Sequence, residues 1–592
     1  MKKLLKNTND KTMYIKRKNA KRFVFVLTFL LATGSLFAQP QLMLVSGQQD
    51  TVRNARHFFR GMTAPGSQLT VNGVSFPVYH TGAFAAEVSL AEGDNIITFV
   101  VRHSGKETVS EQYIYYYPPK APQAVTRLEI ERAELIPDAT MVLPGDQLKV
   151  VVKTLTNCRV YWLDGKTLEE LPPSETSGMT GIYQGMYIVK ENDPLLAAPI
   201  EVSVQNDTQT ISKEITKGIT VINPMNPLYV KSKGAYPYLN YGLGQDRLGG
   251  SKMGYITEGI NMKVLGKVDR LYRVQLSKHR SAWIPETEVE PPAPYHGVFK
   301  PGALTSSWSV YGETSYDYVK ISLSDKLPYR SFQELTPVRI VVDIFGVATN
   351  TAWITQMTST KTIANVNYEQ IEDDVLRIFV DLNSKQHWGY SVYYENNQLV
   401  IRVKHQPMPK PRLKGLRIAL DAGHGGEASG AVGATGMKEK DVNLELVMLL
   451  KAELEKQGAQ VILTRNDDSD LTMQQRMTIL NSEKPDLLVS VHNNAGGNPI
   501  TTKGTSTYYR HIGYRPLSVA ILNRLLELGI GNFGNVGSFN FSLNSPTEYP
   551  NVLVEGLFMS TPEDEAKLAD INFKTKFVKK IVEGLKDFLN TQ

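Results

Sequence analysis

The sequence predicts a multidomain chain in which N-terminal all-β modules (sandwiches and a small barrel) precede a C-terminal α/β domain with a mainly parallel open sheet. Three observations predict it. The chain has 592 residues, too many for one hydrophobic core. Up to about residue 405, short β-runs alternate with turn signals and proline-rich breaks. From Leu416 onward, strand-like runs alternate with helical spacing, which is the pattern of a parallel sheet.

The first element is a leader. Residues 1–22 carry nine Lys or Arg against one acid, Asp10, and an apolar run follows from Phe23 to Phe37. A basic segment, an apolar core and small residues at its end read as a secretory signal peptide, residues 1–38, cut after Ala38. The run is short for a membrane span, which needs about 20 apolar residues. The leader also accounts for the charge. The whole chain has 65 bases and 59 acids, net +6; subtracting nine and one leaves 56 and 58, net −2. A nearly neutral chain gives no reason to expect a nucleic-acid partner. No later segment has 18 uninterrupted apolar residues, so no transmembrane segment is expected after cleavage. The single cysteine, Cys158, allows no internal disulfide and lies far from the cleavage point, which excludes a lipid-bearing cysteine there. Any metal site must then use His and carboxylate ligands.

Residues 39–120 hold short strands, with an Asn-Gly hairpin signal at Val71-Asn72-Gly73-Val74 and an alternating run from Ile96 to Val101. This segment resembles bacterial immunoglobulin-like modules. After Pro118-Pro119-Lys120-Ala121-Pro122, residues 123–222 form a second β-rich stretch, with Gln147 to Lys153 and Ile200 to Val204 as strands; a second sandwich is expected. Residues 225–290 place Tyr236, Tyr238, Tyr241, Tyr255, Tyr272 and Trp283 among short β-runs. The runs Leu271 to Leu276 and Ala282 to Pro285 resemble the end of a bacterial Src-homology-3-like barrel. Such modules commonly bind wall peptide, but aromatics in small β-domains usually fill the core, and no binding residue is assigned. After Pro291-Pro292-Ala293-Pro294, residues 295–405 show half-buried strands at Val338 to Phe345, Val375 to Leu382 and Gln398 to Val403. With Val341 to Gly346 and Trp388-Gly389-Tyr390, this segment resembles the AMIN domain, which places periplasmic amidases on the wall. Pro407 to Pro411 is the last linker.

The α/β domain spans 415–592. Strands are expected at Leu416 to Leu420, Val461 to Leu463, Asp486 to Val491, Thr505 to Tyr509 and Val552 to Val554. Helices are expected at Asp441 to Gln457, Met473 to Leu480, Leu517 to Leu528 and Pro562 to Leu589. Sites in such sheets collect at the carboxyl ends of strands. His424 follows the first strand in Asp421-Ala422-Gly423-His424-Gly425-Gly426; His492 and Glu555 close two others; Glu439 precedes the first helix. Two His and a carboxylate can hold a catalytic zinc with a place left for water, and a further carboxylate can serve as base and acid. A lone His or Glu at a strand end is more often structural, so the pattern alone leaves both readings open.

Five pieces in order carry a resemblance: Asp421 to Gly426, Lys438 to Leu444, Leu463-Thr464-Arg465, Ser490 to Ala495 and Tyr549 to Glu555. The segment resembles the zinc-dependent N-acetylmuramoyl-L-alanine amidase family. The resemblance implies one Zn²⁺ held by His424, Glu439 and His492, with Glu555 as the catalytic carboxylate. It implies an open sheet with a shallow groove and hydrolysis of the amide between N-acetylmuramic acid and L-alanine, for wall remodelling or daughter-cell separation. Peptidoglycan is the implied partner, a protein activator an optional one, and the periplasm of a Gram-negative bacterium the implied place. Two departures stand out. Asn493 follows the His where Ala is common, and the usual Glu-x-Gly-Phe reads Glu555-Gly556-Leu557-Phe558, with the glycine one place early.

Asp421 could orient a ligand or simply shape the turn. Arg465 and Arg476 are read as pairing with surface acids, the seven histidines before residue 415 as structural or exposed, and His511 as no ligand. Some relatives carry a blocking helix between the strand ending near Tyr509 and the catalytic Glu; only Leu517 to Leu528 is expected there, so no plug is expected. Two rivals remain: a non-catalytic wall-binding protein, and a zinc peptidase cutting inside the stem peptide.

Overall fold

A computed structural model describes residues 41–119, 123–244, 248–294, 302–407 and 412–590. The expected leader, 1–38, and linker residues 120–122 and 408–411 lie outside the described residues. Among the described residues no helix is long and apolar enough to cross a membrane.

Residues 41–116 form two sheets, of three and five strands, over one core of alternating inward residues such as Phe59, Phe84, Phe99 and Val101. The next stretch, expected as a second sandwich, has seven strands linked around one core. The corner is the strand Lys166–Glu170, which pairs through its first half with Arg159–Trp162 and through its second half with Ile182–Ile188. A strand shared in this way joins two sets of paired strands over one core.

Sheet pairing also crosses the break near residue 222. Ala139–Val142 and Thr220–Val221 join the sheet built by residues 228–294, through the long strand Asn261–Val268. Residues 303–404 then form two facing sheets, and their core is continuous with that of residues 222–289.

The C-terminal domain has six strands: β1 (Arg417–Ala422), β2 (Gln460–Leu463), β3 (Leu487–Asn494), β4 (Thr505–Tyr508), β5 (Asn532–Val536) and β6 (Asn551–Phe558). Their order is β2-β1-β3-β6-β4-β5. Only the β4–β6 pair is antiparallel. The helices are α1 (Glu439–Lys456), α2 (Met473–Glu483), α3 (Arg515–Leu526), α4 (Pro562–Ala569) and α5 (Ile571–Asn590). The expected last helix is thus two. Asp570 breaks it with an extended backbone, and its side chain accepts the Asn572 N–H at 2.8 Å, starting α5. β5 was not expected, because its sequence, Asn-Phe-Gly-Asn-Val, lacks the apolar alternation that marks a strand.

Side chains alternate across the sheet. Ile418, Leu420, Val489 and Val491 pack under α1, α3 and α5. Ala419 and Leu488 face the other way, toward α2, where Tyr236 and Tyr255 of the upstream module complete the cover. Trp388, Gly389 and Tyr390, expected as part of a β-module, sit where that module docks. Trp388 packs on Phe588, and the Tyr390 N–H donates to the Thr547 carbonyl at 2.8 Å.

Glu548 lines a cavity at this junction with Tyr255 and Tyr329. Burial pushes its carboxyl up, only partly offset by backbone N–H groups. A carboxyl raised on folding adds stability that is present at low pH and lost as pH rises through its folded pKa. Glu548→Gln is therefore expected to raise the melting temperature at pH 8, with the gain vanishing near pH 4; calorimetry across that range checks it.

Candidate metal centre

His424, Glu439 and His492 come together at the carboxyl end of the sheet, with one potential ligand atom from each lying within 4.8 Å of the others. His424 reaches the site from the turn after β1, Glu439 is the first residue of α1, and His492 stands on β3. Glu555 lies beside His492, because β3 and β6 run parallel with these two residues in register.

Each pose has a local cause. His424 has a left-handed backbone, φ +62°, unusual for a residue with a side chain. Arg476 holds it there, donating to the carbonyl of His424 at 2.7 Å and of Ala422 at 2.8 Å. Arg465 donates to the Ala422 and Gly423 carbonyls from the other side. Gly423 is needed for close approach, since a Cβ there would stand 2.2 Å from the His492 ring. The expectation that Arg465 and Arg476 pair with surface acids is corrected: both are buried. Arg476 pairs with Asp421 at 2.6 Å, and Asp421 also accepts from Thr464 and Ser490. Burial alone would raise the Asp421 carboxyl, but Arg476, His492 and the Thr464 and Ser490 hydroxyls together outweigh it and hold the group below its usual range. Asp421 bonds no imidazole here; it anchors the turn that carries His424. His511 is half-buried, and its Nε2 lies 2.9 Å from the Ser545 carbonyl, as a structural histidine.

The Glu439 carboxylate is the hub. Its Oε2 lies 3.2 Å from His424 Nε2 and its Oε1 3.1 Å from His492 Nδ1. It also accepts backbone N–H groups from Ala431 at 2.9 Å and Asn493 at 3.1 Å. Burial pushes its carboxyl up, and the two imidazoles more than reverse this, leaving it well below the usual range. His492 stays raised despite burial, because Glu439, Glu555 and Asp421 face it. A hub that remains anionic between two imidazoles is a ready divalent-cation site. His492 Nε2 is buried with no hydrogen-bond partner, which fits an ion as a group that could meet the site's polar atoms. His424 is the most accessible of the three, its side chain 32% accessible, so the site opens on that side.

A neighbouring loop was not anticipated. Phe541 packs edge-on against the His492 ring at 5.9 Å. Next to it, the Asn540 side chain accepts from Arg510 and from the Lys252 N–H and donates to the Leu248 and Gly250 carbonyls. The upstream module thus grips the loop beside the metal centre. Between β4 and β6 lie α3, β5 and two single turns, at 512–514 and 542–544.

A sheet with two imidazoles and a buried carboxylate at its carboxyl end fits a metal-dependent hydrolase. Comparison with known proteins agrees. The family model described as N-acetylmuramoyl-L-alanine amidase matches residues 418–587, and that of the AMIN domain matches 310–403. The uncharacterized protein YqiI of Bacillus subtilis (strain 168) is 32% identical over 180 residues, 30% of this chain and 86% of that protein. The N-acetylmuramoyl-L-alanine amidase AmiC of Escherichia coli O6:H1 (strain CFT073) is 25% identical over 366 residues, 47% of this chain and 88% of AmiC. The solved structure of the amidase AmiC2 of Nostoc punctiforme is 32% identical, covering 30% of this chain and 99% of that one, with a TM-score of 0.29. The chain belongs to the N-acetylmuramoyl-L-alanine amidase family and carries an AMIN domain before its catalytic domain.

Proposed function

We propose that this amidase is zinc-dependent and cuts peptidoglycan between the lactyl group of N-acetylmuramic acid and the first L-alanine, in wall remodelling or daughter-cell separation. The observation that carries the reading is the meeting of His424, Glu439 and His492 within 4.8 Å. These three would hold the ion, and zinc among divalent ions suits two imidazoles and one carboxylate. When bound, such an ion polarises a carbonyl oxygen and makes a water nucleophilic at neutral pH.

The protein's own part is positioning and proton movement. Asp421, Arg465 and Arg476 fix the turn that carries His424. Glu555, next to His492 in register, takes the proton of the attacking water and passes it to the departing alanine nitrogen. The leader and the AMIN domain support export to the periplasm of a Gram-negative bacterium, with peptidoglycan as partner and room for a protein activator. Residues 225–290 fit a Src-homology-3-like module that here braces the catalytic domain through Tyr236 and Tyr255.

Mass spectrometry of fragments released from purified sacculi tests the reaction. The expected products are intact stem peptides beginning with L-alanine; peptides cut within the stem would replace this reading by a peptidase.

A further inference from the structure

We propose that Asn493 and Gly556 form one interlocked pair that sets the pose of the Glu439 carboxylate and of the backbone after Glu555. Asn493 is then a positioning residue for the metal centre. The inference rests on the metal-amidase reading above and deepens it.

The two departures from the family pattern meet in space. β3 and β6 are paired at His492–Glu555 and again at Asn494–Phe558. One residue on β3, Asn493, therefore opposes two on β6, Gly556 and Leu557. This is a bulge directly after Glu555, and bulges beside active sites re-aim side chains. A bulge takes a backbone amide out of the ladder, and a buried amide must be paired elsewhere. Asn493 supplies the partner: its Oδ1 accepts from the Leu557 N–H at 3.1 Å. Alanine at this position could not.

The contact also explains the early glycine. A Cβ at 556 would lie 2.6 Å from Asn493 Oδ1. That oxygen cannot swing away cheaply, because Asn493 is buried and its other end is committed. Its Nδ2 donates to Asn443 Oδ1 at 2.8 Å, and Asn443 in turn donates to Glu439 Oε1 at 3.2 Å and to the Gly423 carbonyl at 3.1 Å. The Asn493 N–H reaches the same Glu439 oxygen. One side chain therefore links the bulge beside the proposed base to the hub of the proposed ligands, and outer partners of this kind tune ligand geometry.

A double-mutant cycle on the full chain tests it, reading the zinc dissociation constant by competition with a chromophoric chelator. Asn493→Ala and Gly556→Ala should each weaken zinc about 10–100-fold. The double variant should be no weaker than Asn493→Ala alone, because without the asparagine oxygen the new Cβ meets nothing closer than 3.4 Å. In Asn493→Ala, kcat per folded, zinc-loaded chain should fall with KM unchanged; normalising to that fraction removes any contribution from a general loss of folded protein. Losses that multiply in the double variant, or an Asn493→Ala affinity within about twofold of wild type, would overturn the pair. Should the wild type bind no zinc, the proposed zinc dependence fails separately. The pair is then judged by hydrogen exchange at Leu557: acceleration of about tenfold in Asn493→Ala upholds it, and an unchanged rate overturns it.

Discussion

Glu555→Gln is expected to lower kcat for wall hydrolysis about 10²–10⁴-fold while leaving the metal bound. Glutamine keeps the shape of the side chain and can still hydrogen-bond, but it cannot take a proton from water. Glu555 belongs to the β6 position beside His492, not to the set of side chains that converge as ligands. Its loss should therefore spare the ion and remove the proton transfer. Steady-state rates on labelled sacculi, with metal content measured on the same sample, check both halves. A rate within about threefold of wild type would remove Glu555 from the chemistry.

The second large effect concerns stability. Arg476→Met should lower the local opening free energy of β1 and β3 by about 3–5 kcal/mol, the usual cost of removing one partner from a buried ion pair. Arg476 and Asp421 are almost wholly inaccessible, at 1% each. Methionine fills much of the space but leaves the Asp421 charge without its cation and frees the carbonyls of Ala422 and His424. Hydrogen exchange of peptides covering 417–424 and 487–494 reads the effect where it arises. A change below about 1 kcal/mol would mean that Thr464 and Ser490 suffice to hold Asp421.

The candidate site residues were legible because they lie toward the carboxyl ends of strands, where an α/β sheet gathers its sites. His424 follows β1 and Glu439 opens α1, but His492 and Glu555, expected to close their strands, lie inside β3 and β6, which run on to Asn494 and Phe558. Their supports were not legible. Arg476 looks like any charged residue on a helix, and only the fold shows that it points at a buried aspartate. Asn443 and Asn493 are neutral and carry no pattern. Upstream, strand existence could be read from alternation, but pairing could not. Nothing local says that Ala139–Val142 joins Asn261–Val268 across more than a hundred residues, or that Lys166–Glu170 serves two halves of one sheet. The aromatics of residues 225–290 were recognisable as packing residues, yet the partner of Tyr236 and Tyr255, a face of the catalytic sheet, is a tertiary fact.

The proposed chemistry requires one divalent ion shared by His424, Glu439 and His492. Elemental analysis of the purified full chain beside its Glu439→Ala variant tests this most directly. One zinc per wild-type chain and almost none in the variant is the expected result; equal metal in both, or none in an active wild type, would contradict it.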